Sequence, residues 1–165
     1  MGLAPKSAGN LSFRTRRGFV VTGTGINLGA IEKEELVEVL KVETGKNQIL
    51  VYAEGQIVPS KESLFHSEIY RLRAEINAVF HAHDQLVLKF ANELRIPCTE
   101  REQARGSYEL VEEVNRLLGQ IAGVKYFVLK NHGVIAVGET LEEAGRLAED
   151  MNKMAQKQEG CVPSK

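Results

Sequence analysis

Two histidines one residue apart, His81 and His83, follow the apolar run Ala78-Val79-Phe80. On a strand, residues i and i+2 share a face, roughly 6.5 Å apart along the chain, so both imidazoles can converge on one point. On a helix they would not. A third histidine, His132, sits in the turn Asn131-His132-Gly133 between two apolar runs, Tyr126 to Leu129 and Val134 to Val137. Gly133 there can supply a positive φ. Three neutral imidazoles at metal–nitrogen distances of ~2.0–2.1 Å suit zinc and leave one coordination position for water or substrate. An H-x-H pair alone also occurs at strand ends that hold no metal, so His132 carries the weight. Glu62 is the candidate fourth partner, although a glutamate in a first helical turn is also favoured by the helix dipole. His66, four residues on, shares its face and reads as a hydrogen-bonded structural histidine rather than a ligand.

Three short polar segments, Ser7-Ala8-Gly9-Asn10, Thr22-Gly23-Thr24-Gly25 and Ser60-Lys61, offer hydroxyls, backbone N–H groups and one positive charge. Brought together they would cradle a phosphate; apart, each is a turn or a cap. None matches a P-loop or a dinucleotide fingerprint.

The elements that must position these residues follow from pattern. A hairpin is expected from Leu11 to Arg14, through a turn at Arg16-Arg17-Gly18, to a second strand ending at Val21. Residues 36 to 43 alternate as a strand, with Val37, Val39 and Lys41 on one side and Glu38, Leu40 and Val42 on the other. After Gly45-Lys46-Asn47 a further strand runs from Ile49 to Tyr52. Ser60 is placed to cap a helix beginning at Lys61, with Phe65, Ile69 and Leu72 as its buried stripe. Residues 78 to 83 form a short strand. Asp84 caps a helix whose apolar face is Leu86, Val87, Phe90, Ala91 and Leu94. A helix near Ser107 buries Leu110, Val114, Leu117 and Ile121 and ends at Gly123. Thr140 and Glu143 form a capping box for the last helix, and the tail beyond Gly160 is expected to fray. Interleaved hairpins and helices predict one α/β domain over residues 1–165, with a largely antiparallel or mixed sheet covered by helices.

At 165 residues, 43% hydrophobic and 26% charged, the composition is that of a globular protein with a real core. With 21 basic and 22 acidic residues the net charge is −1, which gives no footprint for nucleic acid or an anionic membrane. No run reaches the roughly 20 apolar residues of a membrane span, and the first residues lack a signal-peptide core. Cys98 and Cys161 form no C-x-x-C pair and read as free thiols. A cytoplasmic location is expected.

The segments Gly9-Asn10-Leu11-Ser12, Thr22-Gly23-Thr24-Gly25-Ile26, Pro59-Ser60-Lys61-Glu62 with His66 and Ile69-Tyr70, His81-Ala82-His83 and Asn131-His132-Gly133, in this order, resemble the class II aldolase/adducin family. The resemblance runs from about Ser7 to about Ala155. It implies a three-layer α/β/α domain around a mostly antiparallel sheet. It implies zinc on His81, His83 and His132, a catalytic acid at Glu62, and a phosphate pocket from Ser7, Asn10, Thr24, Gly25 and Ser60, to which Lys61 is added as a point charge. The implied chemistry is a zinc-stabilised enediolate of a small phosphorylated sugar, with Glu62 moving the proton. Members usually form homotetramers. Aldol cleavage is preferred to epimerisation because the family's epimerases carry Asp where Glu62 stands. A ketose-phosphate dehydratase or a pentulose-phosphate 4-epimerase is the alternative on the same site, and a non-catalytic adducin-like binding module the alternative of another class.

Four departures accompany the resemblance. The family's first helix is truncated or absent ahead of Gly9, Lys61 replaces a serine, the loop from Arg95 to Gly106 is short, and the tail carrying a family tyrosine is missing. Tyr108 is near the place of the family's loop tyrosine without mapping onto it.

Overall fold

The computed structural model describes residues 9–45 and 48–161. Ser7 and the other residues ahead of Gly9, where the family's first helix is expected to be truncated or absent, Lys46, Asn47 and the tail after Cys161 lie outside them. Seven strands form one sheet: β1 (Gly9–Arg14), β2 (Phe19–Thr22), β3 (Leu36–Thr44), β4 (Ile49–Glu54), β5 (Ala78–Ala82), β6 (Tyr126–Leu129) and β7 (Gly133–Gly138). Their order is β4-β3-β2-β1-β5-β7-β6, and every named pairing is antiparallel. Among the described residues four α-helices cover it: α1 (Ser63–Leu72), α2 (Gln85–Phe90), α3 (Tyr108–Gln120) and α4 (Leu141–Cys161). The expected α/β/α architecture with an antiparallel sheet is therefore present.

Strand alternation sorts the core into two layers. Val79, Phe127, Leu129, Ile135 and Val137 join α1 and α3 in one cluster. Ala78, Ala82, Val128, Val134 and Ala136 join α2 and α4 in the other. The strands β6 and β7 are buried along their whole length. This explains why they read as continuous apolar runs. Removing each such Val, Ile or Phe from water contributes about 1.5–3 kcal/mol.

Three elements depart from expectation. In β3 the register shifts between Val39 and Lys41, so the extra residue, Leu40, changes the phase of the alternation. Val42, not Lys41, then packs against the core after Val39. The helix after Pro59 begins at Ser63, two residues late. Ser60 Oγ accepts the Glu62 N–H and the Ser63 N–H reaches Ser60 O, which holds residues 60–63 in a tight turn with Glu62 at the helix cap. Leu72 is exposed, because α1 stops there and Arg73 caps it.

Other local readings hold. Asp84 Oδ1 accepts the Leu86 and Val87 N–H groups, although α2 ends at Phe90, short of Leu94. Asp84 Oδ2 accepts from Asn152 of α4, which ties the two helices of that layer together. Ser107 caps α3, but the helix ends at Gln120, so Ile121, expected on its buried face, is exposed beyond it, and Gly123 follows with φ of 71°. Thr140 Oγ1 caps α4 by accepting from Glu143 N–H. The Glu143 side chain reaches Glu139 N–H, one residue before the expected partner. Cys98 and Cys161 are exposed free thiols.

Candidate metal centre

β5 and β7 are neighbours in the sheet, with His81 opposite Ile135 and Ala82 opposite Val134. The β6–β7 turn therefore stands beside the end of β5, which brings His132 to the H-x-H pair. His83 lies one residue beyond the strand but keeps its alternation. The three rings form a triangle, with centroids 4.9 Å apart for His81 and His83, 5.0 Å for His81 and His132, and 5.1 Å for His83 and His132. Glu62 enters from the start of α1, its Oε2 3.2 Å from His81 Nε2 and its Oε1 2.9 Å from His132 Nε2. One ligand atom from each of the four residues lies within 4.8 Å of the others.

The turn is built differently from expectation. The left-handed residue is Asn131, at φ 55°, a conformation asparagine tolerates. Gly133 is required for space: a Cβ there would lie 2.5 Å from Ala82 O and 2.8 Å from His81 Cε1. Residues 99–102 brace the turn from outside. Thr99 Oγ1 accepts the Lys130 N–H, Glu102 accepts from Asn131 Nδ2, and Lys130 Nζ donates to Glu100 O.

The donor chemistry fits a cation. His81 Nδ1–H donates to Val134 O at 2.9 Å, which leaves Nε2 facing Glu62. His83 Nε2 and His132 Nδ1 are buried without a hydrogen-bond partner, and His81 Nε2, His132 Nε2 and Glu62 Oε1 have none beyond the contacts between Glu62 and these imidazoles. Lone pairs and a carboxylate gathered out of water repel one another unless a positive charge lies among them. Burial, with the charges of His81, Arg105 and His132, lowers His83 to about 4. Its ring is thus a free base at neutral pH, as metal ligation needs. Burial alone would raise Glu62, but His132 and His81 overcome it and hold the carboxyl below its ordinary range.

The second set of expected residues is only partly assembled. The isolated bridge between Gly23 and Pro59 lays the Thr22–Gly25 turn against Ser60. Thr24 Oγ1 donates to Pro59 O, and Ser60 N–H donates to Thr22 O. Gly25 has φ of 78° and open space around it, and Lys61 is exposed. The Asn10 amide is used by Glu62 and His66 instead. His66 is fully buried and bonded through both nitrogens, as a structural histidine should be. Tyr108 is half exposed at the start of α3. Ser12 and Tyr70, both in this hydrogen-bonded network, were missed as site residues. Polar Asn10 and Ser12, two apart on a strand, were the available signal.

The chain belongs to the class II aldolase and adducin family: the Class II Aldolase and Adducin N-terminal domain matches residues 1–158. It is 30% identical to L-fuculose phosphate aldolase of Escherichia coli K12, over 94% of this chain and 74% of that protein. It is 28% identical to L-fuculose phosphate aldolase of Methanococcus maripaludis, over 91% and 83% of the two chains. A 5-methylthioribulose-1-phosphate/5-deoxyribulose-1-phosphate aldolase of Rhodospirillum rubrum is 25% identical, over 98% of this chain and 75% of its own. Among solved structures, L-fuculose-1-phosphate aldolase of Thermus thermophilus superposes with a TM-score of 0.73 at 25% identity, covering 99% of this chain and 91% of the other.

Two outcomes are expected of the purified protein. Zinc binds at about one equivalent and, at 100 times its dissociation constant, stabilises the fold by about 2.7 kcal/mol; His81→Ala abolishes both effects in metal titration and thermal unfolding. A wild-type protein that stays metal-free in excess zinc contradicts this. In chelator, stability falls with acid. Burial, helped by the charge of His81 and opposed by Glu62, lowers His66 to about 3, whereas the unfolded chain protonates near ~6.5. The unfolded state therefore binds more protons, and His66 alone removes about 1.4 kcal/mol per pH unit between these values. His83 acts with the same sign. Urea unfolding from pH 7.5 to 5 reads this slope, and a flat profile refutes it.

Proposed function

We propose that the protein is a zinc-dependent aldolase of the class II type that makes or breaks a C–C bond in a small phosphorylated ketose. The observation that carries this is the buried Glu62 carboxylate, 2.9 and 3.2 Å from two imidazole nitrogens of a three-histidine cluster. A structural cluster alone would not need a carboxylate with one oxygen left unpartnered beside it. The relatives named for sugar-phosphate aldolase activity support the substrate class.

In this reading His81, His83 and His132 hold the ion. When bound, the ion supplies a Lewis acid that draws electron density from oxygen next to the reacting carbon. Glu62 takes a proton from that carbon and returns it. Its burial keeps bulk water from competing for the proton. Thr24, Gly25, Ser60 and Lys61 anchor the phosphate, with Ser7 as a further contact, and so fix the carbon's distance from Glu62. An epimerase or dehydratase would use the same first proton transfer and differ in the bond broken next. The retained cluster argues against a purely adducin-like binding role. A homotetramer in the cytoplasm is part of the proposal. The exposed apolar side chains of edge strand β4, Ile49, Leu50, Val51 and Tyr52, give it a surface to cover.

Glu62→Gln is expected to keep the metal and to slow proton exchange at the carbon next to the ketone of dihydroxyacetone phosphate by roughly 10²–10⁴-fold. Exchange at the wild-type rate removes Glu62 from this role. Sedimentation is expected to give four copies, reduced to one or two by Val51→Glu. A wild-type monomer at micromolar concentration contradicts the assembly.

A further inference from the structure

The seam between β1 and α1 is polar where a sheet–helix contact is ordinarily apolar. β1 contributes Asn10 and Ser12, and α1 contributes His66 and Tyr70; none is more than 5% exposed. Each hydrogen bond in the seam has a direction that follows from Glu62. An ionised carboxylate only accepts, so the Asn10 atom 2.7 Å from Oε2 is the donating Nδ2. The flipped amide would set oxygen against oxygen. Asn10 Oδ1 then faces His66 Nε2 at 2.5 Å and needs a hydrogen from it. His66 is thereby the Nε2–H tautomer, with a lone pair on Nδ1. Ser12 Oγ, 2.6 Å from Nδ1, gives that lone pair its one proton. Its oxygen in turn accepts from the Tyr70 hydroxyl at 2.7 Å. The chain runs one way, Tyr70 to Ser12 to His66 to Asn10 to Glu62, and every link fixes the orientation of the next.

We propose that His66, Ser12 and Tyr70 are positioning residues for Glu62, acting through Asn10 to hold Oε2 and so assigning proton transfer to Oε1. This rests on Glu62 being the acid–base group. Oε2 has a donor from the seam, Asn10, while Oε1 is buried with none from the seam and faces only the cluster, at His132 Nε2. Two oxygens equivalent in the free side chain are thus made different by the seam, and the substrate meets the one that is unoccupied.

The alternative is that His66 merely fills space, and two substitutions separate the two roles. His66→Gln can place an amide N–H where Nε2–H stood and keep the bond to Asn10. His66→Leu fills the volume without a donor. Positioning predicts that proton exchange into dihydroxyacetone phosphate falls by less than about tenfold in His66→Gln. In His66→Leu it falls by roughly 100-fold, mainly in kcat, with zinc content unchanged. Leu performing as well as Gln overturns the proposal. Should His66→Leu fail to fold, Ser12→Ala replaces it, with about a tenfold loss in kcat expected; no loss overturns the proposal. A spectrum of the whole protein with ¹⁵N-labelled histidine tests the chain without any activity. His66 is expected as the Nε2–H tautomer at neutral pH, and the Nδ1–H tautomer overturns the proposal. If the wild type exchanges no proton with any ketose phosphate, the acid–base reading of Glu62 falls, while the spectrum still decides the direction of the chain.

Discussion

The geometry of the site depends on confining like-natured groups: one carboxylate and three imidazole nitrogens share a small volume out of water, where their lone pairs repel. Keeping them there needs support from three directions, and the fold provides it. The end of β5 aligns His81 and His83, the β6–β7 turn brings in His132, and the cap of α1 delivers Glu62. Each is held by bonds behind the reactive atoms. Val134 O takes the far nitrogen of His81, Asn10 takes one oxygen of Glu62, and residues 99–102 brace the turn of His132. A site held this way has its ligands pointed before any ion arrives, so binding need not order them.

The two layers on the sheet have unequal tasks. The side of α2 and α4 is mostly apolar, with the Asp84–Asn152 tie at the point where the chain leaves His83. The side of α1 and α3 contains the larger aromatic and aliphatic cluster and, running beside it, the polar seam of β1 and α1. Polar groups in a core cost free energy unless every one is satisfied. Here Asn10, Ser12, His66 and Tyr70 satisfy one another and finish on Glu62.

Most of this was legible in the residues. Alternation found the strands, caps at Asp84, Ser107 and Thr140 placed three helices, and the H-x-H pair with the Asn-His-Gly turn identified the cluster. What escaped notice shares a cause: it depends on one residue's backbone responding to a distant neighbour. The bulge at Leu40 appears only when β4 is paired with β3. The late start of α1 reflects a contest between Ser60 and the first helical turn for the same N–H groups. Gly133 is needed because of how near β5 lies, not for its φ. Asn10 resembled a phosphate contact because its family position suggested one, while its partners, Glu62 and His66, are more than fifty residues away in sequence.

Arg14 stands at the far end of β1 from the cluster, outside any chemistry. Its guanidinium donates to Tyr70 O, Arg73 O and Ile76 O, and lies over the Tyr70 ring at 4.8 Å. It thus rivets the last turn of α1 to the strand. A helix free to slip by one turn would move about 5.4 Å, and every rung of the polar ladder would lose its mate. Fastened at its tail, the helix behaves as a ruler whose zero mark is at Arg14 and whose other end sets where a carboxylate comes to rest.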